Sequence, residues 1–318
     1  MRITNNMVSD RVIADLQARY AAMADTQLQI STGKRVNQPS DDPTAAAQER
    51  LKTSELSGIK ASQSSVNSAQ TALNSSETAL EGVRSVLSRA NELALSAGNG
   101  TLSQDNLNAI ADEIDQLVKS AKDSMNTKVG NSYIFSGTKS DTAPYADATG
   151  DAYQGDDNAQ VRDGGAGVVL QSNPSFVPVN GTPAGASTPL TAGAILGGGS
   201  GAGDGRVLDT LTQLSAHLRG GTTADLQAIQ STDLQAIAAN QTAVSSAVSA
   251  IGAMSNRADA ALSRLTDLED TATQSIDDLT GVDLAKAITD YSAQSAAYQA
   301  SLKVGAQIIQ PSLLQFLS

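Results

Sequence analysis

Apolar residues recur along this chain in heptad series, the spacing that lays one narrow stripe along the face of an α-helix. Near the start, Ile13, Leu16, Tyr20, Met23, Gln27 and Ile30 step alternately by three and four residues. A longer series runs Ile59, Ser62, Val66, Ala69, Leu73, Ser76, Leu80, Val83, Leu87, Ala90 and Ala94. Towards the end, Leu284, Ile288, Tyr291, Ser295, Tyr298, Leu302, Gly305 and Ile309 repeat the step without a skip. Intermediate helices are predicted at 103–126, through Leu107, Ile110, Ile114 and Leu117, and at 224–276, through Ile237, Val244, Ile251, Leu262 and Leu265. A helix from Thr44 to Ala97 would be roughly 80 Å long at 1.5 Å per residue, more than a compact globule needs.

Proline marks where helices are not expected, since inside one it costs about 3 kcal/mol. It stands at 39, 43, 144, 174, 178, 183, 189 and 311, leaving Thr44–Ala143 and Leu190–Gln310 free of it. Glycine concentrates between Gly130 and Gly205, ending in GGGSGAGDG at 197–205. Tyr133-Ile134-Phe135 and Val168-Val169-Leu170 are short β-type runs between turn residues. The predicted fold is mainly α, a long coiled-coil-like helical rod formed by both chain ends, with a small β-rich inserted domain. The expected parts are an assembly helix and linker at 1–43, rod helices at 44–140, an outer insertion at 141–205, rod helices at 206–280 and a C-terminal assembly helix at 281–318. The insertion is expected to bulge outward, fastened by linkers and sharing no seam with the rod.

Composition narrows the function classes. Lys plus Arg number 21 against 33 Asp plus Glu, a net charge of −12, which disfavours nucleic-acid and lipid-surface partners that need cationic residues facing phosphate. Cysteine is absent, so thiolate nucleophiles, disulfides and thiolate metal sites are excluded. With aromatics at 3% and no Trp, thin helix seams are favoured over an aromatic-lined pocket. No stretch approaches the roughly 18 consecutive apolar residues of a membrane span, and the N-terminal residues carry no secretory h-region.

Candidate chemistry is sparse. The glycine run at 197–205 lacks the Lys-Ser or Lys-Thr of a phosphate-binding loop and reads as a linker. His217, the one histidine, lies in VLDTLTQLSAHL beside the apolar face of Val207, Leu211, Leu214 and Leu218, with no companion ligands. Asp41 and Asp42 precede Pro43 and a helical run, as a cap followed by proline at the first helical position would; a cation site is the alternative. Lys34 and Arg35 form a small basic spot, read as an inter-subunit or surface charge. No enzyme, cofactor or metal is indicated.

Four segments carry a resemblance. ISTGKRVNQPSDDPTAAAQ (30–48), with Gly33, Lys34, Arg35, Asp41, Asp42 and Pro43, resembles the N-terminal signature of the bacterial flagellin family. RANELALSAGNGTLSQDNL (89–107) is similar to the family's helix–turn–helix, and residues 285–318 resemble its C-terminal helix. NSYIFSGTKSDTAPYADATGDAYQGDD (131–157) resembles the hook-associated protein 3 type, at the hook–filament junction, where flagellins tend to read Thr-Gln-Phe-Asn-Gly. The resemblance implies a structural flagellar protein, a junction adapter on which flagellin polymerises; the alternative is flagellin itself, the filament subunit. An enzyme on the same scaffold, such as a metallopeptidase, would need a second histidine.

The implied partners are other copies of itself in a tubular ring, a hook-side protein of the hook-associated protein 1 type, flagellin, the filament cap during assembly and a flagellar export chaperone. Neither nucleic acid nor membrane insertion is expected. The implied location is the extracellular flagellum, reached uncleaved through the flagellar type III apparatus. The seam expected to be completed by neighbours is Ile13, Leu16, Tyr20, Met23 and Ile30 against Leu284, Ile288, Tyr291, Tyr298, Leu302 and Ile309. Polar or small seam residues, Gln27, Ser295 and Gly305, should keep that pair weak alone. The same stripes would also close a monomeric bundle.

Overall fold

The computed structural model describes residues 5–146, 152–165, 169–176 and 187–316. Helices α1 (Asn5–Thr32), α2 (Pro43–Gly98) and α3 (Gln104–Met125) come first. Among the described residues, six short strands follow, β1 (Lys128–Val129), β2 (Ser132–Tyr133), β3 (Val161–Asp163), β4 (Val169–Gln171), β5 (Ser175–Phe176) and β6 (Thr188–Pro189). Helices α4 (Ala192–Leu196), α5 (Val207–Gly220), α6 (Thr223–Ala228), α7 (Leu234–Thr280) and α8 (Leu284–Phe316) complete the chain. The strands pair as three separate antiparallel two-stranded ladders, β1 with β2, β3 with β4 and β5 with β6. The mainly α prediction holds, and among the described residues of the insertion the strands are β3 to β6. Val168, Pro178 and Pro183 lie outside the described residues. One proline departs from expectation: α8 continues through Pro311 to Phe316. A long helix survives the loss of one ladder bond at a proline when the turns on either side stay paired.

Two compact units emerge. One is Met1–Gly58 with Asp267–Ser318, the other Ile59–Thr266. In the second, the α2 stripe is buried as its spacing predicts: Val66, Ala69, Leu73, Ser76, Leu80, Val83, Leu87, Ala90 and Ala94 are all at 2% exposure or less. They share an apolar core with α3, α5 and α7. The α2 and α7 helices run antiparallel, since Gln70 Nε2 donates to Asp259 Oδ1 at 2.5 Å while Gln230 Nε2 donates to the Gly98 carbonyl.

The start of α7 carries a phase correction. From Ile237 onward, Val244, Ile251, Ala258, Leu265 and Ala272 are buried at every seventh residue, but the preceding buried Ile229 is eight residues before Ile237. A π-helical turn at Ile229–Asp233 absorbs the extra residue, so both isoleucines face the core.

The inserted segment differs from the linker-fastened module expected of it. Tyr145, Phe176, Leu190, Ala192, Ile195 and Leu196 belong to the same apolar core as α2, α3, α5 and α7. Leu170 of β4 packs with Val66, Ala69, Ala258 and Leu265. Within the segment the buried Tyr145 hydroxyl lies 2.6 Å from the Gly197 carbonyl and 3.2 Å from that of Ala192, and the half-buried Tyr153 hydroxyl ties the segment to the chain before it, 3.1 Å from the Phe135 carbonyl. Burial pushes both phenols above the ordinary tyrosine range. Proline and glycine stop helices, but they do not stop a loop from folding back onto its neighbours.

Candidate functional site: the terminal helix pair and its base

Helices α1 and α8 pair within the first unit. Thr26 Oγ1 donates to Gln294 Oε1 at 3.0 Å, the rings of Tyr20 and Tyr298 lie 6.0 Å apart, and Gly305 faces Val12 and Leu16. Partner numbers fall on one helix as they rise on the other, so the pair is antiparallel. On α1 the side turned to the partner carries Val12, Leu16, Met23, Thr26 and Ile30; on α8 it carries Ala287, Tyr291, Gln294, Tyr298, Ser301 and Gly305. That α8 stripe keeps heptad spacing, but it is built of small and polar residues and two tyrosines. A Cβ on Gly305 would stand 3.0 Å from Val12 Cγ1, a tight contact that the Val12 side chain would have to relieve by a few tenths of an ångström.

The closed stripe therefore shares only part of the expected seam. Leu16, Met23, Ile30, Tyr291 and Tyr298 are half-buried in the pair, whereas Ile13 (46% exposed), Tyr20 (57%), Leu284 (50%), Ile288 (53%) and Leu302 (45%) remain exposed. Ile309 lies outside the described side chains. Ile13 on α1, and Ile288 and Leu302 on α8, each stand one residue past a position of the closed seam, and Tyr20 stands seven residues after Ile13 on the same face. In an antiparallel pair these positions fall on the same flank of both helices, since the sense of rotation reverses with the axis. Ile13, Leu16, Gln17, Tyr20 and Tyr298 line a cleft of about 360 Å³ on that flank. The opposite groove is lined by small and polar groups over one stretch, Arg19, Ala22, Ala293, Gln294 and Ala297, and by Val12, Leu16 and the exposed Val304 over another. The pair is closed on one stripe, and the larger exposed residues Ile13, Tyr20, Ile288 and Leu302 gather along one flank.

At the base of the pair, two linkers meet. Lys34 forms an antiparallel bridge with Gly281, and the Val282 amide donates to the Gly33 carbonyl at 3.1 Å. Lys34 Nζ pairs with Glu49 at 2.7 Å, and the Arg35 guanidinium donates to the Leu279 carbonyl at 3.0 Å. The basic spot thus has partners within its own chain. Asp42 Oδ1 accepts the Ala45 amide at 3.0 Å in front of Pro43, the first residue of α2. That amide, with Arg35 nearby, holds the Asp42 carboxyl below its usual range. Asp41 Oδ2 accepts the amides of Asn37 and Gln38 at 3.0 and 2.9 Å, closing the turn before the cap.

In the second unit, the glycine run is not a slack linker. Asp209, 1% exposed, accepts the Gly203 and Gly205 amides at 3.2 and 3.0 Å, and Asp204 accepts those of Gly198 and Arg206 at 2.8 and 3.0 Å. The chain's own carboxylates occupy the amides that a phosphate would need. His217 Nδ1 lies 2.7 Å from Asp233 Oδ2, a buried carboxylate that stands seven residues before the buried Asn240 and so in phase with the α7 stripe. Burial raises the Asp233 carboxyl above its usual value, and the His217 hydrogen bond opposes this. Among the described residues, no group of three or more His, Asp or Glu is placed to hold a metal, and no helix is long and apolar enough to cross a membrane.

Comparison with known proteins agrees with this architecture. The model of the bacterial flagellin N-terminal helical region matches residues 3–140, and that of the C-terminal helical region matches 234–317. Flagellar hook-associated protein 3 of Salmonella typhimurium is 30% identical over 161 residues, 49% of this chain and 50% of its own length. The protein of the same name from Escherichia coli is 32% identical over 158 residues, 47% of this chain and 48% of its own. The chain thus spans about half the length of the curated relatives it matches. A solved structure assigned to the flagellar hook-associated proteins, from Vibrio parahaemolyticus, matches with a TM-score of 0.64 at 25% identity, covering 76% of this chain and all of that one. FlgL of Bacillus cereus, at 22% identity, TM-score 0.52 and coverage of 71% and 99%, shares the fold.

Proposed function

We propose, from the premise that this chain belongs to the bacterial flagellin family, that it is a structural component of the flagellum, the adapter between hook and filament on which flagellin polymerises. The observation that carries the reading is the terminal pair. On α8 its intramolecular stripe is built of small and polar residues and two tyrosines, while Ile13, Tyr20, Ile288 and Leu302 stay exposed along one flank. A two-helix element of this kind gains most of its apolar burial when another helix covers that flank, and isolated helices of this length are marginal in water. The occupant we propose is the terminal pair of neighbouring copies in a tubular ring.

The relatives named hook-associated protein 3, and the resemblance of residues 131–157 to that type, support the junction over the filament itself. On this reading the chain acts by shape and surface, with no catalytic step. Its other partners are the hook-side junction protein of the hook-associated protein 1 type, flagellin, the filament cap and an export chaperone. Its place is outside the cell, reached uncleaved through the flagellar type III apparatus. Immunogold labelling of intact flagella tests this directly. A short band at the hook–filament boundary is expected; label along the whole filament would identify a flagellin, and unlabelled flagella would refute both.

A further inference from the structure

We propose that Arg35 is a positioning residue, holding the two-stranded clasp at the base of the terminal pair so that α1 and α8 leave α2 and α7 in one fixed direction. The last carbonyls of a helix have no partner within it and carry partial negative charge. Arg35 supplies two donors to the end of α7: its amide reaches the Thr280 carbonyl at 2.6 Å and its guanidinium the Leu279 carbonyl at 3.0 Å. The same guanidinium lies 3.5 Å from Asp42 Oδ2, on the residue that caps α2. One side chain therefore bridges the end of one long helix and the start of the other. Beneath it, Val36, 4% exposed, packs on Ala45 and Ala46.

The opposite strand of the clasp is equally constrained. The Gly281 amide donates to the Asp277 carbonyl at 2.6 Å, and a Cβ on Gly281 would stand 2.5 Å from that carbonyl oxygen. Backbone cannot yield as a flexible side chain can, so any other residue at 281 displaces the strand that pairs with Lys34. The Gly-Lys-Arg turn and the Thr-Gly pair, about 245 residues apart in sequence, are two halves of one device.

The consequence for assembly rests on the function proposed above, but the clasp itself is measured on the free, full-length chain, so the two can fail separately. Because the chain lacks cysteine, Ala14→Cys with Thr53→Cys gives unique spin-label sites on α1 and α2, both exposed. In the Arg35 background, a single narrow distance distribution is expected. Arg35→Ala should at least double its width and speed exchange of the Arg35-position and Val282 amides about tenfold, leaving α2 amides between 66 and 97 unchanged. Arg35→Lys, which keeps the charge but not the fork, should rescue little. Gly281→Ala should broaden the distribution with Arg35 still present.

A role in general stability alone would speed all amides together. That result overturns the proposal. So does a distribution already broad with Arg35 in place, an unchanged width in Arg35→Ala or Gly281→Ala, or full rescue by Arg35→Lys.

Discussion

Replacing Leu302 with Asp separates folding from assembly, because Leu302 is 45% exposed beside the closed stripe of α8. In the free chain, the change removes a partly covered side chain and substitutes a poorer helix former, together less than about 1 kcal/mol. If a neighbouring helix covers that flank, the effect is larger. Burying the remainder of a leucine contributes roughly 1 kcal/mol, and an unpaired carboxylate in an apolar contact costs several more. A total near 4 kcal/mol per subunit corresponds to roughly a thousandfold weaker seating, at tenfold per 1.4 kcal/mol. The assay pairs thermal unfolding of the free protein, followed by circular dichroism, with co-sedimentation on purified hooks carrying the hook-side junction protein. The melting curve should move by no more than a few degrees while seating is lost. A variant that seats normally would show that this flank stays uncovered; one that melts early would show that Leu302 already belongs to the monomer's core.

Three further outcomes follow from the same structure. Asp209→Ala should destabilise the free chain by about 2 kcal/mol in urea titrations, since the buried Asp209 carboxylate loses its charge-assisted bonds from the Gly203 and Gly205 amides. Asp233, whose folded value is raised, binds its proton more tightly folded than unfolded; its favourable contribution is complete below the ordinary aspartate value near 3.9 and is lost as pH rises through the folded value. Asp233→Asn should therefore abolish that part of the decline in urea midpoint with rising pH, and an unchanged slope would contradict the assignment. Deleting 155–204 behind a short linker should unfold the second unit, because Phe176, Leu190, Ile195 and Leu196 leave its core; a cooperative melt near the parent temperature would count against this.

The long helices were legible because a heptad stripe is a local property repeated many times: nine positions of the α2 series from Val66 to Ala94 are buried where the spacing placed them. The start of α2 was legible from Asp42 and Pro43 alone. Three features were not. The π-turn is a one-residue phase slip, and counting back from Ile237 by sevens lands on Gln230, one residue past Ile229. The attachment of the insertion depends on long-range burial of Tyr145, Phe176 and Leu196, which no nearby periodicity announces. The clasp joins residues 35 and 280 through backbone groups that every residue carries, so only the Gly-Lys-Arg turn hinted at it.

The partial departure of the closed stripe from the large apolar positions has a physical cause. Large apolar residues mark the greatest possible burial along a helix, but they do not decide which stripe two helices close on when only two are present. Gly305, Ser301 and Ala287 let the α8 backbone come close to α1, and Thr26 and Gln294 satisfy each other across the gap. A seam built on leucine and isoleucine would hold the helices further apart and bury more area. It would also leave little apolar surface for a neighbour. In the second unit, where the core is closed within the chain, the large residues are inside: Leu73, Leu80, Leu87, Leu211 and Leu214 are fully buried. In the terminal pair, several of them are outside. The same heptad alphabet thus serves two ends, and the exposure of Ile13, Tyr20, Ile288 and Leu302 separates the stripe that folds the chain from the stripe we propose joins it to the next.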